Sequence, residues 1–174
     1  DGSSDGSVAW LERTWALSAG EGWRTSAAHP ALRVLAKANS GKADSLNHAL
    51  AIADGDVVVT LDADTVPAPG ALRALRDAFT DPMLVAACGV LTPVCRGPWR
   101  GVFALFQRLE YLRSFLWRAT WMRDDCLVLV SGAFAAIRRQ PLVAVGGFDP
   151  SSPVEDYEVM FRLHRWSVTD ARRP

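Results

Sequence analysis

Two aspartates, Asp62 and Asp64, stand one residue apart at the end of a short apolar segment. Residues 57–61 are apolar and mostly β-branched, which predicts a strand buried on both faces. Two carboxylates this close repel each other unless a cation neutralises them. Oxygen ligands suit Mg²⁺ or Mn²⁺, which usually share their coordination with substrate phosphates. The pair therefore predicts a metal and phosphate site, and the alternative is a solvated turn through Thr65 and Pro67.

A second acidic pair, Glu155 and Asp156, lies at the start of the last predicted helix, residues 153–165. Ser152 and Glu155 fit an S-x-x-E capping box, with Pro153 at the first helical position. The cap gives Glu155 a structural explanation, but it does not require Asp156. Asp156 is therefore a candidate general base at the mouth of a site.

Lys42 follows Gly41 in the first turn of a predicted helix, residues 40–53. The amides at a helix N-terminus and a lysine both attract anions, which suggests phosphate binding. The segment is not a Walker A loop, because Ala36 and Ala43 stand where that motif needs glycine and a hydroxyl residue. A capped helix with an exposed lysine is the alternative.

Two other functions fit parts of the same sequence. Residues 1–12 resemble a calcium-binding loop, with Asp1 and Asp5 at positions one and five and Glu12 at position twelve. The strand and D-x-D-x-V run at Asp62 also resembles the nucleophile loop of haloacid-dehalogenase-type phosphatases, in which the first aspartate is phosphorylated. That family has its loop at the start of the domain, whereas two predicted structural units precede Asp62.

These residues must be positioned by alternating helices and strands, which predict an α/β layered fold with a mainly parallel sheet flanked by helices. Ligands of such sheets collect at the carboxyl ends of strands, where Asp62 and Asp64 lie. The remaining predicted helices are residues 8–19, 70–79 and 99–122, and the remaining strands are residues 32–36, 84–91, 127–130 and 134–137.

Composition narrows the class of protein. The chain has 174 residues, 49% of them hydrophobic, which is enough for one buried core. Its formal net charge is zero, so it lacks the overall basic field of a nucleic-acid-binding protein. No run approaches the roughly 18 apolar residues of a membrane span. Because Asp1 begins directly in a turn motif and a polar tail ends the chain, we expect both ends to be truncated.

Together, the order of the motifs resembles glycosyltransferase family 2. The resemblance covers residues 1–166 and rests on these runs: residues 1–7 (DGSSDGS), 39–47 (NSGKADSLN), 59–65 (VTLDADT), 131–134 (SGAF), 145–149 (VGGFD) and 154–157 (VEDY). It looks most similar to membrane polysaccharide synthases, such as those of poly-N-acetylglucosamine, hyaluronan and cellulose. The QxxRW motif of processive synthases is not found here.

The resemblance implies a single GT-A domain, a Rossmann-like nucleotide-sugar-binding fold. Residues 1–66 would form the nucleotide- and metal-binding half, and residues 67–174 the acceptor-binding half with the catalytic base. The implied roles are as follows: Asp1 contacts uridine, Lys42 the nucleotide phosphates, Asp62 and Asp64 the metal and diphosphate, Ser131 and Gly132 the acceptor, Asp156 is the base, and Glu155 supports it.

The implied activity is an inverting, divalent-metal-dependent hexosyl transfer from a nucleotide-sugar, expected to be a UDP-sugar, to a growing saccharide or other hydroxyl. Mg²⁺ or Mn²⁺ is the implied cofactor. The implied setting is the cytoplasmic side of the membrane, through segments that this chain lacks. A non-catalytic nucleotide-sugar-binding module is a further alternative.

Overall fold

The computed structural model describes residues 1–18, 22–94, 100–124 and 127–169, and in it the chain forms two compact units, Asp1–Ala49 and Leu50–Pro174. None of the helices in the described ranges is both long and apolar enough to cross a bilayer.

The first unit contains helix α1 and a small antiparallel sheet. Helix α1, Ser7–Trp15, is followed by strands β1, Trp23–Thr25, and β2, Arg33–Leu35, which pair with each other. Helix α2, Lys42–Ile52, begins in this unit. The predicted helix over residues 8–19 ends early because Ala16 adopts a left-handed conformation, with φ 47°.

The second unit is built on a three-stranded sheet. Its elements are strands β3, Val57–Leu61, β4, Ala86–Cys88, and β5, Phe134–Arg138, and helices α3, Ala71–Ala78, α4, Arg100–Arg123, α5, Arg139–Ala144, and α6, Glu155–Thr169. The strand order is β3-β5-β4. Residues 127–130, predicted as a strand, form none.

The α/β class is confirmed, but the direction of strand pairing corrects the expectation of a mainly parallel sheet. Strand β5 pairs antiparallel with both β3 and β4. Because both are antiparallel to β5, β3 and β4 run in the same direction, and helix α3 connects them as in a βαβ crossover. Strand β5 lies between them and runs the opposite way, so every described pair in this sheet is antiparallel.

The core of the second unit centres on β5 rather than on β3. Four consecutive β5 residues, 134–137, are buried, and Ala136 is completely inaccessible. Strand β3 has one open face, because Val59 and Leu61 are 40% and 48% exposed. The expectation that β3 is buried on both faces is therefore wrong in the described structure.

Candidate functional site

The Asp62–Asp64 pair lies on a tight turn at the carboxyl end of β3. The backbone N–H of Asp62 donates to the carbonyl of Ala133 at 3.1 Å, which extends the β3–β5 pairing by one step. The N–H of Thr65 donates to the carbonyl of Asp62 at 3.0 Å and closes the turn. Asp62 is half-buried and Asp64 is exposed. The turn thus presents the two carboxyl groups at one edge of the sheet.

Asp156 lies in the first turn of α6 and contacts the segment that leads into β5. Its Oδ2 accepts a hydrogen bond from the N–H of Gly132 at 3.2 Å. The helix begins at Glu155, and the Oγ of Ser152 accepts from the N–H of Val154 at 3.2 Å. The helix therefore starts two residues after Pro153, so the predicted capping box does not set its first residue.

Residues 131–133 link the two acidic groups. Gly132 donates its N–H to Asp156, and the next residue, Ala133, accepts from the N–H of Asp62. Because β5 runs antiparallel to β3, its amino end meets the carboxyl end of β3 at the same edge of the sheet. The structure therefore brings Asp156 to the edge where Asp62 and Asp64 lie.

A cavity of about 230 Å³ opens at this edge. Ser131 lines it, together with residues 88–91, which are the last residue of β4 and the segment after it, and one face of α4. The α4 side chains include Glu110, Tyr111 and Arg118, so aromatic, acidic and basic groups share one space. No role was predicted for these three residues, although their helical spacing, which places them on one side of α4, was the available signal.

In the first unit, the Asp1 carboxylate holds the turn before α2. Its Oδ1 accepts from Lys37 Nζ and from the N–H of Ser40, both at 2.9 Å, and its Oδ2 accepts from the N–H of Gly41 at 3.0 Å. These bonds satisfy N–H groups next to the first residue of α2, Lys42, which is itself exposed. Asp1 and Lys42, predicted to contact the nucleotide, thus lie around one helix N-terminus.

Sequence reasoning missed Lys37 and Asp44, which complete this cluster. Lys37 Nζ lies 2.9 Å from Asp1 Oδ1 and 2.8 Å from Asp44 Oδ2. The hydrogen bond from Lys37, followed by the one from the Ser40 hydroxyl, lowers the pKa of Asp44 below its ordinary value. An acidic residue in the first helical turn was the available signal.

The described residues contain no cluster of three or more His, Cys, Asp or Glu side chains arranged to hold a metal. Asp62 and Asp64 nevertheless supply the donors that suit Mg²⁺ or Mn²⁺ when substrate phosphates complete the shell, because these ions are usually bound through one or two carboxylates.

The calcium-loop alternative loses support because two of its ligands are engaged elsewhere. Glu12 forms an ion pair with Arg24 of β1, and the Asp1 carboxylate takes three donors from residues 37–41. Asp5 accepts from the N–H of Ser7 at 3.0 Å, a local turn contact. The three carboxylates therefore serve separate structural contacts rather than one shared ion.

The sequence matches the family described as glycosyl transferase family 2 over residues 1–146, and the chain therefore belongs to that family. The match ends ten residues before Asp156. Because Asp62 lies within the matched residues, membership of this family argues against the haloacid-dehalogenase-type phosphatase alternative at Asp62.

Two named synthases are similar over most of this chain. Cellulose synthase 2 of Novacetimonas hansenii is 28% identical over 152 residues, which make up 78% of this chain and 9% of that protein. Poly-beta-1,6-N-acetyl-D-glucosamine synthase of Staphylococcus aureus (strain COL) is 31% identical over 129 residues, or 72% of this chain and 30% of that protein. The chain thus spans a minor part of each relative.

A solved structure shares the fold. The mannosyltransferase PcManGT from Pyrobaculum calidifontis, in complex with GDP-Man and Mn²⁺, superimposes with a TM-score of 0.59 at 26% sequence identity. The similarity covers 92% of this chain and 40% of that one. The fold of this chain is accordingly the GT-A fold that the sequence motifs implied.

Proposed function

We propose that this chain carries the catalytic centre of an inverting glycosyltransferase, which transfers a sugar from a nucleotide-sugar to a hydroxyl of a growing saccharide. The observation that carries the proposal is the pair of contacts made by residues 132 and 133, which join Asp156 and Asp62 at one edge of the sheet. An acidic pair for the diphosphate and a separate carboxylate for the acceptor are the two groups that such a transfer needs.

In this proposal Asp62 and Asp64 hold Mg²⁺ or Mn²⁺ against the donor diphosphate. A divalent ion there supplies Lewis-acid stabilisation to the departing nucleoside diphosphate. The Mn²⁺ and GDP-Man bound to the Pyrobaculum enzyme support a metal and a nucleotide-sugar as ligands of this fold. We expect a UDP-sugar here, and the guanine nucleotide of that neighbour makes GDP-sugars the necessary comparison.

Asp156 is the proposed general base. Its carboxylate removes the proton of the acceptor hydroxyl while that oxygen forms a bond to the anomeric carbon. The bond from the anomeric carbon to the phosphate oxygen breaks on the opposite face, and the nucleoside diphosphate leaves with the electron pair. The single displacement inverts the anomeric centre. Gly132 orients Asp156 through the hydrogen bond at 3.2 Å, and Glu155, its neighbour in the first turn of α6, supports it.

The acceptor is proposed to approach along Ser131 and Gly132. Ser131 lines the 230 Å³ cavity, where Tyr111 and Phe115 offer aromatic surface and Glu110 and Arg118 offer hydrogen-bonding groups. A pocket of aromatic faces with a few polar groups suits a sugar ring, which has apolar faces and hydroxyl edges. This composition supports a saccharide as the acceptor.

Asp1 and Lys42 are proposed to bind the nucleotide. A carboxylate has about four acceptor positions, and Asp1 uses three of them on Lys37, Ser40 and Gly41. The position left over accepts an N–H group, which uracil offers in its ring. Lys42 would add positive charge near the phosphates from the start of α2. In the complete protein we place this centre at the cytoplasmic side of a membrane.

The experiment tests two single substitutions separately in the complete protein. Each variant is assayed for nucleotide release with a panel of UDP- and GDP-sugars. Asp156→Asn is expected to lower turnover by about 10²- to 10⁴-fold, the usual contribution of a positioned base, with donor affinity unchanged. Asp64→Ala is expected to abolish the Mn²⁺-dependent donor affinity measured by calorimetry, because the ion loses half of its protein ligands.

Two exposed aspartates provide matched controls. Asp77→Asn on α3 and Asp54→Ala, before the amino end of β3, remove the same charges away from the proposed centre. Turnover of Asp156→Asn at the parent rate would refute the base assignment, and equal affinity of Asp64→Ala and parent would refute the metal site. Donor binding without nucleotide release from any sugar would indicate a binding module.

A further inference from the structure

The segment before β5, residues 127–132, forms one wall of the cavity, and we call it the wall segment. Its residues Leu127 and Ser131 line the space, to which α4 contributes Tyr111 and Phe115. The wall segment belongs to no helix or strand. Its position therefore depends on contacts with the elements beside it.

Helix α6 contacts both ends of the wall segment. At one end, the N–H of Gly132 donates to Asp156 Oδ2 at 3.2 Å. At the other end, His164 Nε2 lies 2.6 Å from the carbonyl oxygen of Leu127. A carbonyl oxygen only accepts hydrogen bonds, so Nε2 of this half-buried histidine carries the proton and donates it.

The spacing of the two contacts indicates that the wall segment follows α6 in the opposite direction. Asp156 and His164 are eight residues apart, which corresponds to about 12 Å along a helix. The five steps from Leu127 to Gly132 span at most about 18 Å when the chain is extended. Met160, midway between the two contacts on the helix, is 6% exposed. One helix thus holds the segment at two points that its own length can bridge without looping away.

We propose that His164 is a positioning residue for the acceptor, a proposal that rests on the transferase function proposed above. By holding the carbonyl of Leu127, it fixes the cavity wall at the end away from Asp156. The distance between this wall and α4 then determines how closely a saccharide fits. When the hydrogen bond is lost, the Leu127 end moves more freely, whereas Gly132 is still held by Asp156. The loss should therefore weaken acceptor binding more than it slows the transfer step.

Two substitutions separate this hydrogen-bonding role from simple packing on α6. His164→Leu keeps an apolar side chain of similar bulk and removes the donor, whereas His164→Gln places an N–H group where Nε2 lies. A packing role predicts that leucine replaces the histidine well, and a hydrogen-bonding role predicts that only glutamine does. Arg165→Leu, at the next and exposed residue of α6, is the matched control.

The first measurement is amide hydrogen exchange of the complete protein, followed by mass spectrometry. Exchange in the wall segment should accelerate by about 2- to 10-fold in His164→Leu, which matches the net contribution of one hydrogen bond. It should keep the parent rate in His164→Gln and in Arg165→Leu. Exchange in β5 should change by less than about twofold in all three variants, because both neighbouring strands hold it.

The second measurement is nucleotide release with cellotetraose or chitotetraose as the added acceptor. In His164→Leu, the KM for the acceptor should rise by about 2- to 10-fold while kcat stays within about twofold, and glutamine should restore the parent KM. Unchanged exchange in His164→Leu, an equal acceleration in β5, or no rescue by glutamine overturns the proposal, as does a lower kcat at the parent KM. If the parent releases no nucleotide from any sugar, the proposed function fails, and the exchange rates still decide whether His164 holds the wall segment.

Discussion

Gly89 offers a sharp test of the packing at the edge of the sheet where the acidic groups meet. It follows β4 directly, and its N–H donates to the carbonyl of Phe134 at 3.1 Å. A Cβ atom added at this position would overlap Cδ1 of the Phe134 ring and would lie 3.1 Å from Cε1. The ring is 6% exposed and packs in the cluster that contains Leu75 and Ala136. Phe134 therefore cannot rotate away without disturbing that cluster.

The expected magnitude for Gly89→Ala combines two opposing terms. Overpacking of a close-packed core costs about 1–3 kcal/mol. Alanine also reduces the conformational entropy of the unfolded chain, which stabilises the folded state by about 0.4–1 kcal/mol. This term applies because φ of Gly89 lies outside the left-handed region, so alanine adopts the same backbone conformation without strain. We expect a net loss of about 1–2 kcal/mol in the free energy of unfolding.

Gly101→Ala is the matched control. Gly101 lies on α4, and apart from its chain neighbours and the adjacent helix backbone, no atom of the described residues lies within 4 Å of the position of an added Cβ. Alanine there should stabilise the chain by up to about 1 kcal/mol through helix propensity. Urea unfolding of both variants compares the two changes directly. A Gly89→Ala variant at least as stable as the parent would refute the reasoning, since Phe134 would then have room to move.

Two further substitutions test the contacts around this core and around α2. Arg138→Met should lower the free energy of unfolding by about 2–4 kcal/mol, because the Arg138 guanidinium donates to three carbonyls of residues 79–84 at 2.7–3.1 Å. The control is Arg76→Met, at a side chain that is 74% exposed. It should change the free energy of unfolding by less than about 0.5 kcal/mol in the same urea titration. The hydrogen bond from Lys37 is the largest cause that lowers the pKa of Asp44 in the folded chain. The ionised carboxylate therefore stabilises the folded chain above the ordinary pKa of about 3.9, and this stabilisation is lost as the pH falls through the lower, folded-state pKa. Asp44→Asn should therefore flatten the fall in stability between about pH 5 and pH 2, and an unchanged acid profile would show that the pairing with Lys37 contributes nothing.

Local patterns predicted the elements that the chain determines by itself. Strand β3 has the bounds expected from its apolar run, which ends at Asp62. Helix α3 follows Gly70, whose φ of 86° suits a residue outside the helix, within one residue of the predicted start and end. In both cases the signal lies within a few residues of the boundary, so no tertiary contact is needed to read it.

Features that depend on distant partners were not predictable in the same way. Helix α5 has six residues and contains Pro141 in its first turn, where proline is tolerated but gives no helical periodicity. The direction of β5 is likewise invisible in its sequence, because a continuous apolar run indicates burial and not orientation. The role of Lys37 depends on Asp1, which is 36 residues away in the chain.

The candidate site combines both kinds of information. The identities of Asp62 and Asp156 could be read from local motifs, but their convergence depends on the antiparallel insertion of β5 between β3 and β4. A parallel β5 would enter the sheet at the opposite edge and would carry residues 131–133 away from Asp62. The antiparallel direction of β5, which its sequence does not reveal, is therefore what lets Gly132 and Ala133 contact both acidic segments at once. A change in this short segment should affect the proposed base and the proposed metal turn together, whereas a change at either carboxylate should affect only one of them.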